Sequence, residues 1–293
     1  MHYGFIKVCA VSPSLRVADC PYNAQMTIEA MQKAAKDGCQ LAVFPELGLT
    51  GYTCGDLFLQ KAAEDALADI LKASEGLDLV TLVGLPVNVS GKLYNCAAVV
   101  CRGQLLGLVP KSHIPNYGEF YEKRHYCAAP AGIKEIRFAG QTALFGTKLL
   151  FRCESMPEFT LAVEICEDLW APLPPSTAHA LAGATVIANL SASDETVGKA
   201  EYREALVSQQ SARLLCAYLY ADAGHGESTT DMVFSGHNLI AENGALLSES
   251  RPFESGYACT ELDLGRLLSE RCRNTSFEPV TDGYEIIPFS LPV

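Results

Sequence analysis

TLAVEICEDLW, residues 160–170, is an apolar run that changes abruptly to polar residues at Cys166. Two earlier runs end in the same way, with LAVFP before Glu46 and LLGLVP before Lys111. Continuous apolar runs of this length are typical of strands buried in an α/β sheet. Because ligands bind beyond the carboxyl ends of such strands, we expect Glu46, Lys111 and Cys166 to meet in one cleft.

The rest of the chain alternates short apolar runs with segments of helical periodicity, which is typical of an α/β domain. Predicted strands cover residues 5–11, 41–44, 79–89, 93–101, 105–109, 160–165, 185–190, 216–221 and 257–262. Predicted helices cover residues 23–36, 57–73 and 200–215. Arg102-Gly103 and Asn243-Gly244 predict tight hairpins. The sequence shows neither a long linker nor an internal repeat, so we expect one compact domain.

Composition and charge restrict the class of protein. The 293 residues are 49% hydrophobic and 19% charged, which is typical of a globular chain with a large core. A formal net charge of −12 argues against a nucleic-acid partner, since that binding requires clustered lysine and arginine. No apolar stretch is long enough to cross a membrane, and the first residues lack the pattern of a secretion signal. We therefore expect a cytoplasmic protein with no nucleic-acid and no membrane partner.

The twelve cysteines are scattered along the chain, and most lie in apolar stretches. This distribution predicts reduced thiols rather than a disulfide framework. The motifs CxxC, HxxxH and HExxH, which often hold metal ions, do not occur in the sequence. We therefore expect no metal site on this chain.

Glu46, Lys111 and Cys166 are chemically complementary. A cysteine attacks as its thiolate, and a carboxylate within hydrogen-bond reach can accept the thiol proton. A fixed ammonium group can then stabilise the negative charge that develops on the oxygen of an attacked amide. Each residue alone has an ordinary explanation: a glutamate or lysine after a strand is usually solvated, and a cysteine is usually a small core residue. Together they form a candidate site for nucleophilic catalysis.

The sequences around these three residues resemble the nitrilase, or carbon-nitrogen hydrolase, superfamily. The motifs occur in the order of that family and are FPELGLTGY at 44–52, PKSHIPNYGEFYE at 110–122 and EICEDLW at 164–170. The resemblance covers nearly the whole chain and implies an α/β fold, the nitrilase-like αββα sandwich, as a single domain that forms homo-oligomers. It also implies that Glu46 is the general base, Lys111 the cation that stabilises the oxyanion, and Cys166 the nucleophile.

A narrower resemblance is to the N-terminal glutaminase domain of the glutamine-dependent NAD+ synthetases. The additional motifs are DLF at 56–58, NYGEF at 116–120, NLSAS at 189–193 and GESTTD at 226–231. In that family this domain hydrolyses L-glutamine to glutamate and ammonia. A separate synthetase domain then uses the ammonia and ATP to amidate deamido-NAD+. The resemblance therefore implies L-glutamine as the substrate and a synthetase domain as the partner.

The synthetase half of that family carries a Ser-Gly-Gly-x-Asp-Ser loop that binds pyrophosphate, and this loop does not occur in the sequence. We therefore expect residues 1–275 to be the glutaminase domain. Residues 276–293 are expected to begin a connector to a synthetase domain outside this chain. ATP and Mg2+ are then expected only in that domain, with no cofactor on this chain.

The same resemblance implies which residues bind glutamine. A free amino acid carries an ammonium and a carboxylate, and both require charged or polar partners. The candidates are Tyr117, Glu167, Ser193 and Lys199. Glu122 is a candidate second carboxylate, since a buried lysine needs an anionic neighbour to stay charged.

Several of these candidates also have ordinary explanations. Tyr117 fits a surface loop, and Lys199 fits the solvated start of a helix. Glu122 fits a solvent-exposed pair with a neighbouring cation. Trp170, the sole tryptophan, fits the lining of a pocket and the core equally well.

Two other functions are consistent with the same fold. A free-standing amidase would act on another ω-amide or on a carbamoyl substrate, but the narrower motifs disfavour it. A non-catalytic assembly module would place no demand on retaining Glu46, Lys111 and Cys166 together. An activated thiol reacts much faster than a buried inert one, so alkylation rates distinguish a catalytic protein from such a module.

Overall fold

A computed structural model describes residues 4–59, 61–254 and 256–292 of the protein. Two β-sheets pack face to face. The first sheet has the strand order β14 (Gly256–Asp263), β1 (Phe5–Ser12), β2 (Leu41–Val43), β3 (Val80–Val89), β4 (Lys92–Cys101), β5 (Gln104–Pro110), β7 (Gln141–Phe145), β6 (Lys134–Phe138). The second has the order β13 (Ala245–Glu249), β12 (Leu239–Glu242), β11 (Ala217–Asp222), β10 (Val186–Ser191), β9 (Thr160–Ile165), β8 (Leu149–Cys153), β15 (Glu285–Phe289).

Helices cover the outer faces of the two sheets. The α-helices are α1 (Cys20–Lys36), α2 (Ala62–Ser74), α3 (Glu167–Trp170), α4 (Pro175–Leu181), α5 (Lys199–Leu214) and α6 (Leu264–Arg273). Two further segments, Tyr52–Leu59 and Glu122–Arg124, are 3-10 helical. Within the described part of the chain, no helix has the length and apolar character needed to cross a membrane.

Alternation along the strands produces three apolar layers. In β1, Val8 lies between the two sheets, whereas Cys9 packs with residues of α1 and α2. In β10, Ala188 lies between the sheets, whereas Ile187 packs with residues of α4 and α5. Successive side chains of a strand point to opposite faces, so each sheet buries both of its faces. The layers therefore follow the order helix, sheet, sheet, helix.

Side-chain caps determine where two of the helices begin. The Asp19 carboxylate accepts a hydrogen bond from the Tyr22 backbone N–H at 3.2 Å, at the start of α1. The Asp263 carboxylate accepts from the Arg266 backbone N–H at 2.9 Å, at the start of α6. Each cap pairs a backbone donor of the first turn that has no acceptor inside its own helix.

The predicted αββα sandwich is confirmed, and the predicted helices at 23–36 and 200–215 are present with slightly different ends. The helix predicted over residues 57–73 is wrong in its first part. Tyr52–Leu59 is a 3-10 segment interrupted at Gly55, where φ is 61°, and only Ala62–Ser74 is α-helical. The helix predicted from residue 57 therefore begins only at Ala62, because residues 57–59 belong to the preceding 3-10 segment.

Periodicity also missed several short elements. Strands β6, β7 and β8 have five residues each and α4 has seven, which is too short for a periodic pattern to be distinctive. Strand β15 lies within the segment predicted as a connector, and it pairs in parallel with β8. Part of that segment is therefore a strand of the second sheet, while the domain boundary at residue 275 stays a prediction.

Candidate active site

The two sheets bring Glu46, Lys111 and Cys166 to the same end of the sandwich. Lys111 directly follows β5 of the first sheet, and Cys166 directly follows β9 of the second. Glu46 lies shortly after β2, and its backbone N–H donates to the Ser191 carbonyl at the end of β10 at 3.2 Å. This hydrogen bond joins the two sheets. Residues that are far apart in the sequence thus share one location, as their positions at strand ends predict.

A buried ion cluster forms the centre of this location. The Lys111 Nζ lies 2.6 Å from Glu46 Oε1 and 2.7 Å from Glu122 Oε1. The side chains of Lys111 and Glu46 are 0% exposed, and that of Glu122 is 6% exposed. Glu122 is therefore the second carboxylate beside Lys111, and the alternative of a solvent-exposed pair is wrong.

Neutral donors complete the hydrogen bonding of the two carboxylates. Asn95, on β4, donates through Nδ2 to Glu46 Oε1 at 2.5 Å and, more weakly, to Glu122 Oε2 at 3.4 Å. The Tyr52 hydroxyl donates to Glu122 Oε1 at 2.7 Å. The Ala192 backbone N–H donates to Glu46 Oε2 at 3.0 Å. Each carboxylate oxygen has a donor, which offsets the cost of burying it.

Burial and neighbouring charges change the proton affinity of all three central residues. Desolvation raises the pKa of Glu46 to about 7; Lys111 opposes this rise and Glu122 adds to it. Burial disfavours the charged form of Lys111, but Glu122 and Glu46 outweigh it and raise the Lys111 pKa. Desolvation and then Glu46 raise the pKa of the Cys166 thiol, while Lys111 opposes them. At neutral pH the site therefore holds a thiol, an ammonium and a carboxyl group that can exchange a proton.

The backbone at Cys166 is strained. Its φ of 44° and ψ of −100° lie outside the regions that residues with a side chain prefer. The Cys166 N–H is shared between the Leu190 carbonyl at 3.0 Å and Asn189 Oδ1 at 2.9 Å, which holds this conformation. Strand β9, this turn and α3 together form the strand–turn–helix arrangement that presents the nucleophile in other hydrolases.

Asp168 joins the turn after β5 to the end of β9. Its Oδ1 accepts from the backbone N–H groups of His113 at 2.8 Å and Ser112 at 3.1 Å. Its Oδ2 accepts from the Ile165 backbone N–H at 3.0 Å. These hydrogen bonds hold the residues after Lys111 close to the residue before Cys166. They therefore fix the position of the Lys111 backbone relative to that of Cys166.

Glu227 orients Tyr52. Its Oε1 accepts from the Tyr52 backbone N–H at 2.6 Å, and its Oε2 accepts from the Thr53 backbone N–H at 3.0 Å. The Thr53 hydroxyl also donates to Oε2 at 2.6 Å. The GESTTD motif therefore holds the segment that directs the Tyr52 hydroxyl to Glu122.

Two of the predicted glutamine-binding residues contact each other. The Tyr117 hydroxyl donates to both carboxylate oxygens of Glu167, at 2.9 and 3.0 Å. A hollow of about 820 Å³ is lined by Tyr117, Glu167 and Trp170, among other residues. Trp170 thus lines a pocket, one of its two expected positions. A second cavity of about 260 Å³ is lined in part by Tyr52 and Glu122.

The other two predicted contacts belong to a neighbouring network. Lys199 pairs with Asp194, and its Nζ lies 5.4 Å from the centre of the Trp170 ring. Ser193 is buried, and its backbone N–H donates to Asp222 Oδ1 at 2.8 Å. The structure therefore places Lys199 near Trp170, which lines the hollow, but already paired with a carboxylate.

Arg203, on α5, stabilises the segment that carries Ser193 and Asp194. Its guanidinium, 0% exposed, donates to the Asp194 carbonyl at 3.3 Å and to Glu195 Oε2 at 3.1 Å. It also lies 3.8 Å from Asp222 Oδ2. The loop between β10 and α5 is thus held by a buried charge.

Sequence reasoning missed several residues of this site. The sequence motifs included Tyr52, Asp168 and Glu227 but assigned them no role. Asn95 and Arg203 were not singled out at all. A polar residue inside an otherwise apolar strand, such as Asn95 in β4, was the one signal available. Among the described residues, no group of three side chains is arranged to hold a metal ion.

Residues 7–270 match the carbon-nitrogen hydrolase family. The chain belongs to this family of hydrolases. It is 44% identical to the glutamine-dependent NAD(+) synthetase of Mycobacterium tuberculosis over 302 residues, which cover 99% of this chain and 44% of that protein. The chain thus spans less than half the length of curated relatives with this name.

Solved structures show the same relationship. A glutamine-dependent NAD(+) synthetase from Cytophaga hutchinsonii is similar with a TM-score of 0.78 and 28% identity, over 94% of this chain and 46% of that chain. A Nesterenkonia amidase of the nitrilase superfamily is similar with a TM-score of 0.71 and 18% identity, over 92% of this chain and 95% of that chain. At 18% identity, the similarity to the amidase shows a shared fold alone.

Proposed function

We propose that the chain is a cysteine amidohydrolase that releases ammonia from L-glutamine, as the glutaminase portion of a glutamine-dependent NAD+ synthetase. The observation that carries this proposal is the buried cluster of Glu46, Lys111 and Glu122 beside the strained turn of Cys166. Both Glu46 and Lys111 act electrostatically on the Cys166 thiol, which supports a common role in one reaction.

In the first step, Glu46 accepts the proton of Cys166 and the sulfur attacks the side-chain carbonyl carbon of glutamine. The carbonyl oxygen then carries the negative charge. Lys111 Nζ stabilises this oxyanion, together with the backbone N–H of Glu167. That N–H opens α3 and has no acceptor inside the helix. A preorganised donor of this kind is worth about a hundredfold or more in rate.

In the second step, Glu46 returns its proton to the leaving nitrogen, and ammonia departs as the carbon–nitrogen bond breaks. This leaves a thioester between Cys166 and the glutamyl group. Glu46, now a carboxylate again, accepts a proton from water, whose oxygen attacks the thioester carbon. As the carbon–sulfur bond breaks, Glu46 returns that proton to the sulfur, which releases glutamate and the Cys166 thiol. A carboxyl group with a pKa of about 7 suits both proton transfers at neutral pH.

The choice of glutamine is supported by four polar residues, of which Tyr117 and Glu167 line the hollow. The Glu167 carboxylate can pair with the α-ammonium group, and Tyr117 already donates to that carboxylate. Lys199 and Ser193 can contact the α-carboxylate. Because Lys199 pairs with Asp194 in the absence of substrate, its contact requires that the glutamine carboxylate compete with Asp194.

The partner follows from the same proposal. Ammonia leaves this chain for a synthetase domain, which amidates deamido-NAD+, and ATP and Mg2+ are bound by that domain rather than by this chain. The relatives named glutamine-dependent NAD(+) synthetase, of which this chain covers less than half, support this arrangement. A cytoplasmic location and a homo-oligomer belong to the proposal in the same way.

The test is ammonia release from L-glutamine and from L-asparagine, with Cys166→Ala as the matched control. We expect turnover of glutamine, little turnover of asparagine, and none by the variant. Rates of alkylation by a small amide electrophile, followed at every cysteine by mass spectrometry, are measured in parallel. We expect Cys166 to react fastest.

Each alternative has its own result. Turnover of another ω-amide in preference to glutamine would indicate a free-standing amidase. Rapid labelling of Cys166 without glutamine turnover would indicate an assembled site that needs its synthetase domain. Glutamine turnover at the parent rate by Cys166→Ala would contradict the mechanism. Neither turnover nor selective labelling would indicate a non-catalytic module.

A further inference from the structure

Asn95 is a buried amide in the middle of an apolar strand. It is 1% exposed, and within β4 the residues on both sides of it are buried. Its Oδ1 has no hydrogen-bond partner in the described part of the chain. A buried polar group without a partner is costly, so a strand that only needs packing would not favour an amide here.

The orientation of this amide follows from its neighbours. Nδ2 faces Glu46 Oε1 and Glu122 Oε2, and ionised carboxylates only accept hydrogen bonds. The nitrogen must therefore point toward them and the oxygen away. The Asn95 backbone carbonyl also accepts from the Lys111 N–H at 2.8 Å. One residue of β4 thus contacts all three members of the ion cluster.

The two oxygens of Glu46 are consequently not equivalent. Oε1 accepts from both Lys111 and Asn95, which uses its two lone pairs. Oε2 accepts from the Ala192 backbone N–H alone and keeps one lone pair free. Ala192 lies two residues beyond Leu190, whose carbonyl accepts from the Cys166 N–H at 3.0 Å, so the Ala192 N–H is close to Cys166 and lowers the pKa of its thiol. Oε2 is therefore the oxygen on the side of Cys166.

We propose that Asn95 is a positioning residue that reserves Glu46 Oε2 as the oxygen that accepts the proton of Cys166. Asn95 touches no substrate in this scheme. It occupies Oε1 together with Lys111, prevents rotation of the carboxylate, and stabilises its ionised form. The inference rests on the proposed function, since it requires that Glu46 act as the base.

The substitution Asn95→Leu keeps a similar volume and removes the donor. Because the hydrogen bond from Asn95 lowers the pKa of Glu46, its loss raises that pKa and the carboxylate becomes protonated at higher pH. A lost hydrogen bond to a charged group moves a pKa by about one unit, so the rate of Cys166 alkylation below neutral pH falls about tenfold. Above the new pKa the rate approaches that of the parent.

The experiment measures Cys166 alkylation by 2-chloroacetamide across the acid and neutral pH range, and kcat and KM for glutamine. The variants are Asn95→Leu and, if that protein does not fold, Asn95→Ser, whose hydroxyl is too short to reach the carboxylates. Thr81→Val is the matched control. It removes a buried hydroxyl from β3, the neighbouring strand, and this hydroxyl has no hydrogen-bond partner among the described residues. We expect a lower kcat with little change in KM for the Asn95 variants, and the parent profile for the control.

Three results would overturn the inference. If a folded Asn95 variant keeps the parent kcat and the parent rates of Cys166 alkylation below neutral pH, Asn95 has no positioning role. The proposed function would still stand. A loss of rate that is the same at every pH, with an equal change in stability, would indicate a structural role. A parent protein in which Cys166 reacts no faster than the other thiols, with no glutamine turnover, would remove the proposed function and this inference together.

Discussion

In the part of the chain that the structure describes, Lys111 and Arg203 are two fully buried cations, and their surroundings differ. Lys111 contacts two carboxylates, Glu46 and Glu122, through one nitrogen at 2.6 and 2.7 Å. Arg203 spreads its guanidinium over several partners, which include Glu195 at 3.1 Å and His237 Nδ1 at 3.0 Å. Lysine is a compact charge on a flexible stem, whereas arginine is a rigid, planar fork.

The difference corresponds to what each cation holds in place. The partners of Lys111 are carboxylates beside the Cys166 sulfur, and a single ammonium can face a reacting oxygen as well. The partners of Arg203 are the loop after β10, His237, and Asp222, whose Oδ1 accepts the Ser193 N–H. The compact ammonium group of lysine can stabilise a charge that develops during a reaction. The planar guanidinium group of arginine can hold several acceptors of a loop in place. The following predictions test this division.

Lys111→Met is expected to have the largest effect. Removing one partner of a buried ion pair leaves uncompensated carboxylates and lowers the free energy of unfolding by about 3–5 kcal/mol. Loss of the oxyanion donor lowers kcat by about a hundredfold to a thousandfold. Urea unfolding and glutamine hydrolysis measure the two effects, with the exposed Lys134→Met as control. A variant with parent kcat would show that Lys111 is only structural, and would contradict the proposed difference between Lys111 and Arg203.

Arg203→Met is expected to cost a similar free energy of unfolding, about 3–5 kcal/mol, for the same reason. Its effect on catalysis differs, because Arg203 positions Ser193 and Asp194 rather than the reacting atoms. We expect KM for glutamine to rise by about tenfold and kcat to change less. Steady-state kinetics at the temperature where the variant is folded provide the measurement. A fall in kcat with constant KM would place Arg203 with the chemistry and contradict the division.

Glu122→Gln is expected to shift the pH dependence of Cys166 alkylation to lower pH. In the parent, Cys166 alkylation falls as pH drops through about 7, because Glu46 becomes protonated and no longer accepts the thiol proton. The negative charge of Glu122 raises the pKa of Glu46, so its removal lowers that pKa and moves the acid limb to lower pH. Rates of Cys166 alkylation against pH test the shift. Glu195→Gln, the matched change at Arg203, should leave the limb where it is.

Tyr52→Phe is expected to have the smallest effect. It removes the 2.7 Å hydrogen bond to Glu122 Oε1, which Lys111 still occupies, and costs about 1–2 kcal/mol of unfolding free energy. A double-mutant cycle with Glu122→Gln isolates the interaction. If Tyr52→Phe costs as much in the Glu122→Gln background as in the parent, the hydroxyl does not act through Glu122.

Several features of the site were predictable from the sequence for local reasons. Glu46, Lys111 and Cys166 each follow an apolar strand, and the family motifs around them include Tyr117 and Glu122. Their convergence followed from the rule that strand ends share an edge. The structure confirms that Lys111 contacts both predicted carboxylates. The roles of these residues in catalysis stay predictions.

Other features were not predictable because their causes are not local. Residues 57–59 have helical periodicity in the sequence but belong to the 3-10 segment that precedes α2. Lys199 looked like a free cation for the substrate, but Asp194 is paired with it. Arg203 lies on α5 among polar residues, and nothing in its neighbourhood along the chain indicates that it is buried against β11.

By itself, the sequence determined an α/β fold and the three residues at its strand ends, because strand and helix periods depend on neighbouring residues. The αββα sandwich was implied by the family motifs beside those residues. Only the tertiary structure decided which groups hold those residues. Asn95 reaches Glu46 across 49 positions of the chain, and Asp168 reaches Ser112 across 56. Burial and pairing of such groups arise when distant segments pack together, and the proton affinities of the site are set by that packing.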